Sequence, residues 1–408
     1  QKYDASSDGL SKYFKAVLQN FKMTMRKLGD NCFKRHAMTE MEDKFYQCGF
    51  SMKLDQDPLI RGVQNGVLKL SLAQTGCPLL IQGYHTYLVS RYTTSPYIAF
   101  NPYDPTTKKI LIALRNLFPD NEIDSFEFTM YYLAATIDNY PKESLFMICV
   151  GTGSNGKSFL IELHKAAIGA TYCVKLPLSY LTNRASNAEN ATPALMMTKD
   201  ASLVYYSESN KHERLNAAKV KELTGLETLS GRKLQSDQIN FKPRFLNIAC
   251  TNFDFEMDSD DYGLWRRVER NTFKITFIDP SVRRLDPDNI YQRIADPSIT
   301  KEWADDPEVQ GRYYGYMVWM HYWLYRKYRG QIKSIPHPHI NYETEKYRRK
   351  QNAVAAFLAQ RLVRCPDKEG VDEANNTVKI PSSVPITDEI QKYIKWYQLN
   401  HGGILPAK

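Results

Sequence analysis

Apolar residues fall into two rhythms along the 408-residue chain. Three short apolar runs, the unbroken Leu145 to Val150, then Leu203 to Tyr206 and Phe245 to Cys250, have the length of buried strands. Between and around them, apolar positions recur at helical spacing. Ser158 to Ile168 carries Phe159, Leu160, Leu163 and Ala167 on one face, with Gly169 as its stop. Leu111 to Tyr140 reads as helical, with Leu114, Leu117, Phe126, Tyr131 and Leu133 facing a core. Val309 to Tyr328 reads as an amphipathic helix bearing Tyr313, Met317, Met320 and Leu324. Strand-like runs alternating with helical segments from Leu145 to Ile278 predict an α/β core with parallel strands. Before about Pro105, a basic helical start (Tyr13 to Lys27) gives way to short strands and turns. Ile335-Pro-His-Pro338 marks a hinge. Beyond it, Tyr342 to Arg364 reads as a helix and Val371 to His401 as a small module.

The first apolar run leads directly into Gly151, Thr152, Gly153, Ser154, Asn155, Gly156, Lys157 and Ser158, which fit G-x-x-x-x-G-K-[ST]. Strand, glycine loop and helix in that order aim backbone amides and a helix N-terminus at a triphosphate. Lys157 is placed to reach the β and γ oxygens, and the Ser158 hydroxyl to meet Mg²⁺. The expected ligand is ATP with Mg²⁺.

Composition narrows the partners only slightly. Hydrophobic residues make up 43% and charged residues 24%, as in an ordinary soluble protein. No stretch of eighteen apolar residues and no signal peptide occur, so no membrane partner is expected. Seven scattered cysteines point to a reducing compartment. Cys32, His36 and Cys48 lack a C-x-x-C partner, so zinc is not expected. The net charge of +9, with 27 tyrosines and 18 phenylalanines, permits a polyanionic partner without requiring one. The chain opens on Gln1 rather than Met, and is expected to be part of a longer protein.

Further candidates follow in order. The second run ends in Ser207-Glu208, a carboxylate placed to orient water on a γ-phosphate if its strand lies beside the loop strand. The third run ends in Thr251-Asn252, a polar group for the γ-phosphate or the attacking water. Trp265, Arg266 and Arg267 come next; arginine delivered from a neighbouring subunit stabilises phosphoryl-transfer charge. Between these runs, Arg232 to Gln235 and Ile239 to Phe241 read as two strands around Ser236-Asp237-Gln238. Basic residues on such a hairpin suit a phosphate backbone, and equally suit a solvated strand edge.

The ordered set of glycine loop, strand ending in Glu208, Lys221-Glu-Leu-Thr224-Gly225, basic hairpin, strand ending in Asn252 and Trp265-Arg266-Arg267 resembles a superfamily 3 helicase. It is most similar to the poxvirus and asfarvirus type of primase–helicase of nucleocytoplasmic large DNA viruses. Asp57-Pro58-Leu59-Ile60, Gln64-Asn65-Gly66-Val67 and Arg91-Tyr92-Thr93 extend the resemblance upstream. Ile335-Pro336, Tyr342, Tyr347-Arg348 and Phe357-Leu358 extend it downstream. The resemblance implies an AAA+-like P-loop ATPase core at 106–280, preceded by a mixed domain at 1–105. A helical linker at 281–340 and a mostly helical, winged-helix-like module at 341–408 would follow. It implies catalytic roles for Lys157, Glu208, Asn252 and Arg267, with Arg266 as the alternative finger. Arg232, Lys233 and, more weakly, Lys242 would bind DNA. Ser207 stands where many members carry a second acid, which leaves Ser158 as the implied Mg²⁺ ligand. Also implied are single-stranded and forked DNA as partners, a homo-hexamer, a preceding primase domain, and action in the cytoplasm of the infected host cell. A DNA-remodelling or packaging ATPase that does not unwind, and a small-molecule P-loop kinase, are the competing readings. The kinase leaves Asn252, Arg267 and the hairpin without a task.

Overall fold

A computed structural model describes residues 7–45, 49–70, 78–83, 85–182, 192–207, 213–232, 237–257, 261–279, 281, 284–286, 288–351, 368–371, 377–380, 392 and 394–395. Contacts divide the chain into two units, Gln1–Gln56 and Asp57–Lys408. In the first, helices α1 (Ser7–Gly29) and α2 (Asn31–Phe45) are joined at Asp30, whose carboxylate accepts a hydrogen bond from the Cys32 amide at 2.8 Å.

The second unit is built on a five-stranded parallel sheet of β1 (Phe146–Val150), β2 (Cys173–Lys175), β3 (Leu203–Ser207), β4 (Leu246–Thr251) and β5 (Val268–Thr272). Their order across the sheet is β5-β1-β4-β3-β2. β1 is buried along its whole length, as an apolar run covered on both faces must be. Alternate residues feed separate cores: Met147 and Cys149 pack on one side, Phe146, Ile148 and Val150 on the other. The strand ending at Ser207 is therefore not beside the loop strand, as its sequence position suggested. β4 lies between them, because its hydrogen bonds run to both β1 and β3.

The helical reading of Leu111 to Tyr140 resolves into α3 (Pro105–Arg115) and α4 (Ile123–Ala134). Pro119 breaks the run, since it has no amide to donate and disfavours helical backbone at Phe118. The Asp104 carboxylate caps α3 by accepting from the Thr107 amide at 2.8 Å. α5 (Lys157–Ile168) follows the glycine loop and closes at Gly169, as expected. α6 (Ala217–Thr224) is capped by Asn216. α7 (Pro307–Tyr328) packs against α3, α4 and α5. It presents Gly315 to the backbone of Ile98, and a Cβ there would lie 1.9 Å from the Ile98 carbonyl oxygen.

Buried polar groups join these pieces. Arg61, 1% exposed, donates to the carbonyls of Thr136 and Ile137 at the end of α4, to Asn139 and to Ser202, and lies over the Tyr172 ring. α8 (Pro338–Gln351) packs on β5, where Arg270 pairs with Asp254 at 2.8 Å and Glu343 at 2.7 Å. Beyond α8, Lys368–Val371 and Thr377–Ile380 form an antiparallel pair. Most of the module expected at 341–408 lies outside the described residues.

Candidate functional site

The parallel strands end together at one edge of the sheet, where Val150 is in register with both Thr251 and Thr272. The chain leaves β1 through Gly151, where a Cβ would sit 2.8 Å from both the Phe273 carbonyl and the Asn155 side-chain oxygen. Asn155 is buried and braces the loop from within. Its oxygen accepts from the Gly153 amide at 2.7 Å, and its amide donates to the Ile275 carbonyl at 2.5 Å. Gly156 has φ +77° and starts α5 without a side-chain cap. The first-turn amides of α5 thus have neither intrahelical acceptors nor a capping side chain.

Lys157 is only 7% exposed. Its ammonium donates to the Gly151 carbonyl at 2.8 Å, the Asn155 oxygen at 3.3 Å and the Asn252 oxygen at 3.4 Å. All three acceptors are neutral, and no acid among the described residues pairs with it. Burial holds its pKa below the ordinary lysine value, against the opposing influence of the nearby Cys250 and Cys149 thiols. A buried cation facing unused helix amides is short of an anion, and that fits the phosphates of a nucleotide. Ser158 is exposed on the same turn, where its hydroxyl can face a metal ion held by those phosphates.

Asn252 stands at the end of β4, next to β1. Its turn is fixed by Thr251, whose hydroxyl accepts from the Phe253 amide at 3.0 Å and donates to the Phe253 carbonyl at 2.7 Å. β3 ends one strand further away at Ser207, and Glu208 lies outside the described residues.

Arg267 is at the other edge of the sheet. It immediately precedes β5, and its carbonyl accepts from the Phe146 amide at the start of β1. The length of β1, roughly 16 Å at strand rise, separates it from its own glycine loop. One guanidinium nitrogen donates to the Gly263 carbonyl at 2.6 Å, while Nε is buried with no partner among the described residues. Burial, then the adjacent Arg266, lowers its pKa.

The hairpin pairs Leu229–Arg232 with Gln238–Phe241, Arg232 opposite Gln238. Its first strand therefore begins three residues earlier than the sequence suggested, because Leu229, Gly231 and Phe241 supply its buried face. Arg232 is exposed at the turn end. Lys242 is exposed just past the base, one residue beyond the last rung at Leu229 and Phe241, so these two are not brought together. Lys233 lies outside the described residues, as does Cys48 of the discounted zinc set. Among the described residues no metal-binding cluster occurs, and no helix is long and apolar enough to cross a membrane.

A family model described as "Family of unknown function (DUF5906)" matches residues 149–267. Across almost the whole chain the match is to viral proteins. "Putative primase C962R" of African swine fever virus is 32% identical over 388 residues, covering 95% of this chain and 38% of the relative. The chain belongs to this viral primase–helicase family. "Putative helicase L207/L206" of Acanthamoeba polyphaga mimivirus, also in the family, is 27% identical over 394 residues, again covering 95% and 38%. The chain thus spans 38% of the length of these two family relatives. Among solved structures, the apo C-terminal region of NrS-1 aligns with a TM-score of 0.37 at 16% identity, over 59% of this chain and 50% of that one. Within the family segment, the matched span 149–267 runs from the last residues of β1 to Arg267, and so includes the loop, Asn252 and the arginine pair.

The site has a part that sequence reading missed. Thr276 to Asp279 and Ile294 to Ile299, with Glu302 and Trp303, lie beside the glycine loop and help enclose a cavity of about 1140 Å³. Nothing local in these segments signals it; only the fold brings them to the loop.

Proposed function

We propose that the chain is the ATP-dependent motor of a viral replication helicase, with an AAA+-like core of the superfamily 3 kind, acting on single-stranded and forked DNA as a homo-hexamer. The observation that carries this reading is Lys157, a buried cation whose acceptors among the described residues are neutral, held within reach of Asn252 at the aligned ends of two central strands. The sheet order supports it: β4 stands between the loop strand and the strand leading to Glu208, so phosphate, polar sensor and carboxylate would line one edge in sequence. In this reading Lys157 and the loop amides bind the phosphates, and Asn252 positions the γ-phosphate or water. Glu208 draws a proton from that water. Ser158 holds Mg²⁺, which when bound screens the phosphate charge.

Arg267 is too far from its own loop to act there, which favours delivery to a neighbour's site. Arg232, Lys233 and Lys242 are the DNA contacts. A preceding primase domain, and action at a viral replication site in the host cytoplasm, follow from the family in the same proposal.

Lys157→Ala is expected to abolish nucleotide binding and turnover. Glu208→Gln is expected to keep binding while losing hydrolysis, because the carboxylate acts on water rather than on the ligand. Nucleotide titration and phosphate release on both variants test this. Near-normal turnover by either overturns the corresponding assignment. Strand displacement on a forked duplex separates a helicase from an ATPase that remodels DNA without unwinding.

A further inference from the structure

We propose that Cys149 and Cys250 form an oxidisable dithiol beneath the glycine loop, which hydrogen peroxide closes into a disulfide that disables the phosphate site. The two residues are direct register partners on the neighbouring parallel strands β1 and β4. Partners in register project to the same face of a sheet, and both side chains pack in the core that also holds Met147. Strand spacing of about 4.8 Å falls within the roughly 4.4–6.8 Å Cα separation that a disulfide spans. Cys173, the other buried thiol among the described residues, lies on β2, two strands beyond β4, and is out of reach.

The two thiols differ in access. Cys149 is 1% exposed, whereas Cys250 is half-buried. A hydrogen bond with Cys250, together with burial, pushes the Cys149 pKa well above the ordinary thiol value, so Cys149 stays protonated. Cys250 is therefore the sulfur that meets the oxidant. As thiolate it attacks the peroxide O–O bond and keeps one oxygen as a sulfenic acid, while the other leaves as hydroxide and takes up a proton to give water. The Cys149 sulfur then attacks the sulfenic sulfur. The S–S bond forms, the S–O bond breaks, and the Cys149 proton leaves with that oxygen as a second water. Two thiols have lost two electrons and two protons, and one peroxide has become two waters.

Position gives the bridge its effect. Each cysteine lies two residues before an acceptor of the Lys157 ammonium: Cys149 before the Gly151 carbonyl, Cys250 before the Asn252 oxygen. The ladder continues from their rung through Val150 and Thr251, and the Gly151 amide donates to the Thr251 carbonyl at 3.2 Å. Side chains standing parallel about 4.8 Å apart must tilt together to reach the ~3.8 Å Cβ separation of a disulfide. Closure thus pulls on both strand ends and displaces both acceptors. The effect on binding rests on the triphosphate reading of the Gly151 loop; the bridge itself does not.

The test treats the reduced full chain with hydrogen peroxide, blocks remaining thiols, and maps tryptic peptides without reduction. Peptides 143–157 and 245–266, which carry the two cysteines, are expected to appear joined. Titration with a non-hydrolysable ATP analogue is expected to show affinity at least about tenfold weaker after oxidation, restored by dithiothreitol. Cys250→Ser should bind the analogue as the reduced wild type does and keep that affinity in peroxide. Cys149→Ala should strand Cys250 as a sulfenic acid that dimedone labels, and it keeps the test decisive if Cys250→Ser fails to fold. Absence of the joined peptides, or a joined wild type that binds as tightly as the reduced one, overturns the proposal. So does a Cys250→Ser variant that loses affinity to peroxide as the wild type does. A reduced wild type that ignores the analogue would instead sink the phosphate reading, with the peptide map still deciding the bridge.

Discussion

Lys157 and His164 lie two turns apart on α5 and show how burial directs titratable groups to different ends. Lys157 keeps a cationic head at the loop with no counter-charge among the described residues, whereas His164 is completely buried and neutral. His164 shares hydrogen bonds of 3.0 Å with Thr136 and with the Tyr313 hydroxyl. Burial pushes its pKa down to about 3, with Arg61 adding to the effect. The unfolded chain takes up this proton below its ordinary value of about 6.5, while the folded chain does not until about 3. Stability is therefore expected to fall as pH drops through that window, by up to about 1.4 kcal/mol per pH unit from this group. His164→Asn should flatten the slope between pH 6.5 and 4.5, read as Tm against pH. An unchanged slope would show that His164 does not set it. At this scale much of the site could be read directly. Lys157 and Ser158 belong to one short run, and Asn252 ends an apolar run, so local pattern suffices to find them. Phe277 and Trp303 carry no such mark, because their place beside the loop depends on contacts far along the chain.

Elements were legible where their core content is apolar. β1, β3, β4 and α5 each follow an unbroken or periodic apolar pattern, and their observed bounds lie within a residue or two of those expected. β5 has no apolar run of its own to mark it, and only the resemblance placed a strand at Val268 to Phe273. Its buried residues include Glu269, Arg270 and Asn271, which are satisfied by His337, Asp254, Glu343 and Thr129 from distant segments. Strand order was likewise invisible, since β4 pairs on both sides and nothing in its composition says with which partners.

Two expectations belong to elements. Gly315→Ala would push a methyl into the Ile98 carbonyl, and backbone on both sides leaves little room to yield. A loss of about 2–3 kcal/mol is expected in denaturant unfolding, and a change within error would mean that α7 can shift freely. For the hairpin, replacing Arg232 and Lys233 together by Ala is expected to lower DNA affinity and flatten its salt dependence, with basal ATPase retained. Wild-type affinity and salt slope in that double variant would make the hairpin an ordinary charged edge.

At the scale of the whole molecule, the sheet separates what the proposed reaction must bring together. Lys157 and Asn252 share one edge, and Arg267 sits at the other, pinned through its carbonyl to the start of β1. In the proposed reading one chain would hold half of two sites, and a ring of copies would complete each between neighbours. A guanidinium supplied in this way acts on charge that develops in the transition state. Arg267→Ala should accordingly slow turnover by about a thousandfold or more while sparing nucleotide binding. The most direct measurement mixes Arg267→Ala chains with Lys157→Ala chains, each inactive alone, and follows ATP hydrolysis in assemblies shown to contain both. Recovery of activity is expected, because some interfaces then pair an intact loop with an intact arginine from the next chain. No recovery in such mixed assemblies would contradict the composite site and, with it, the motor built on that site.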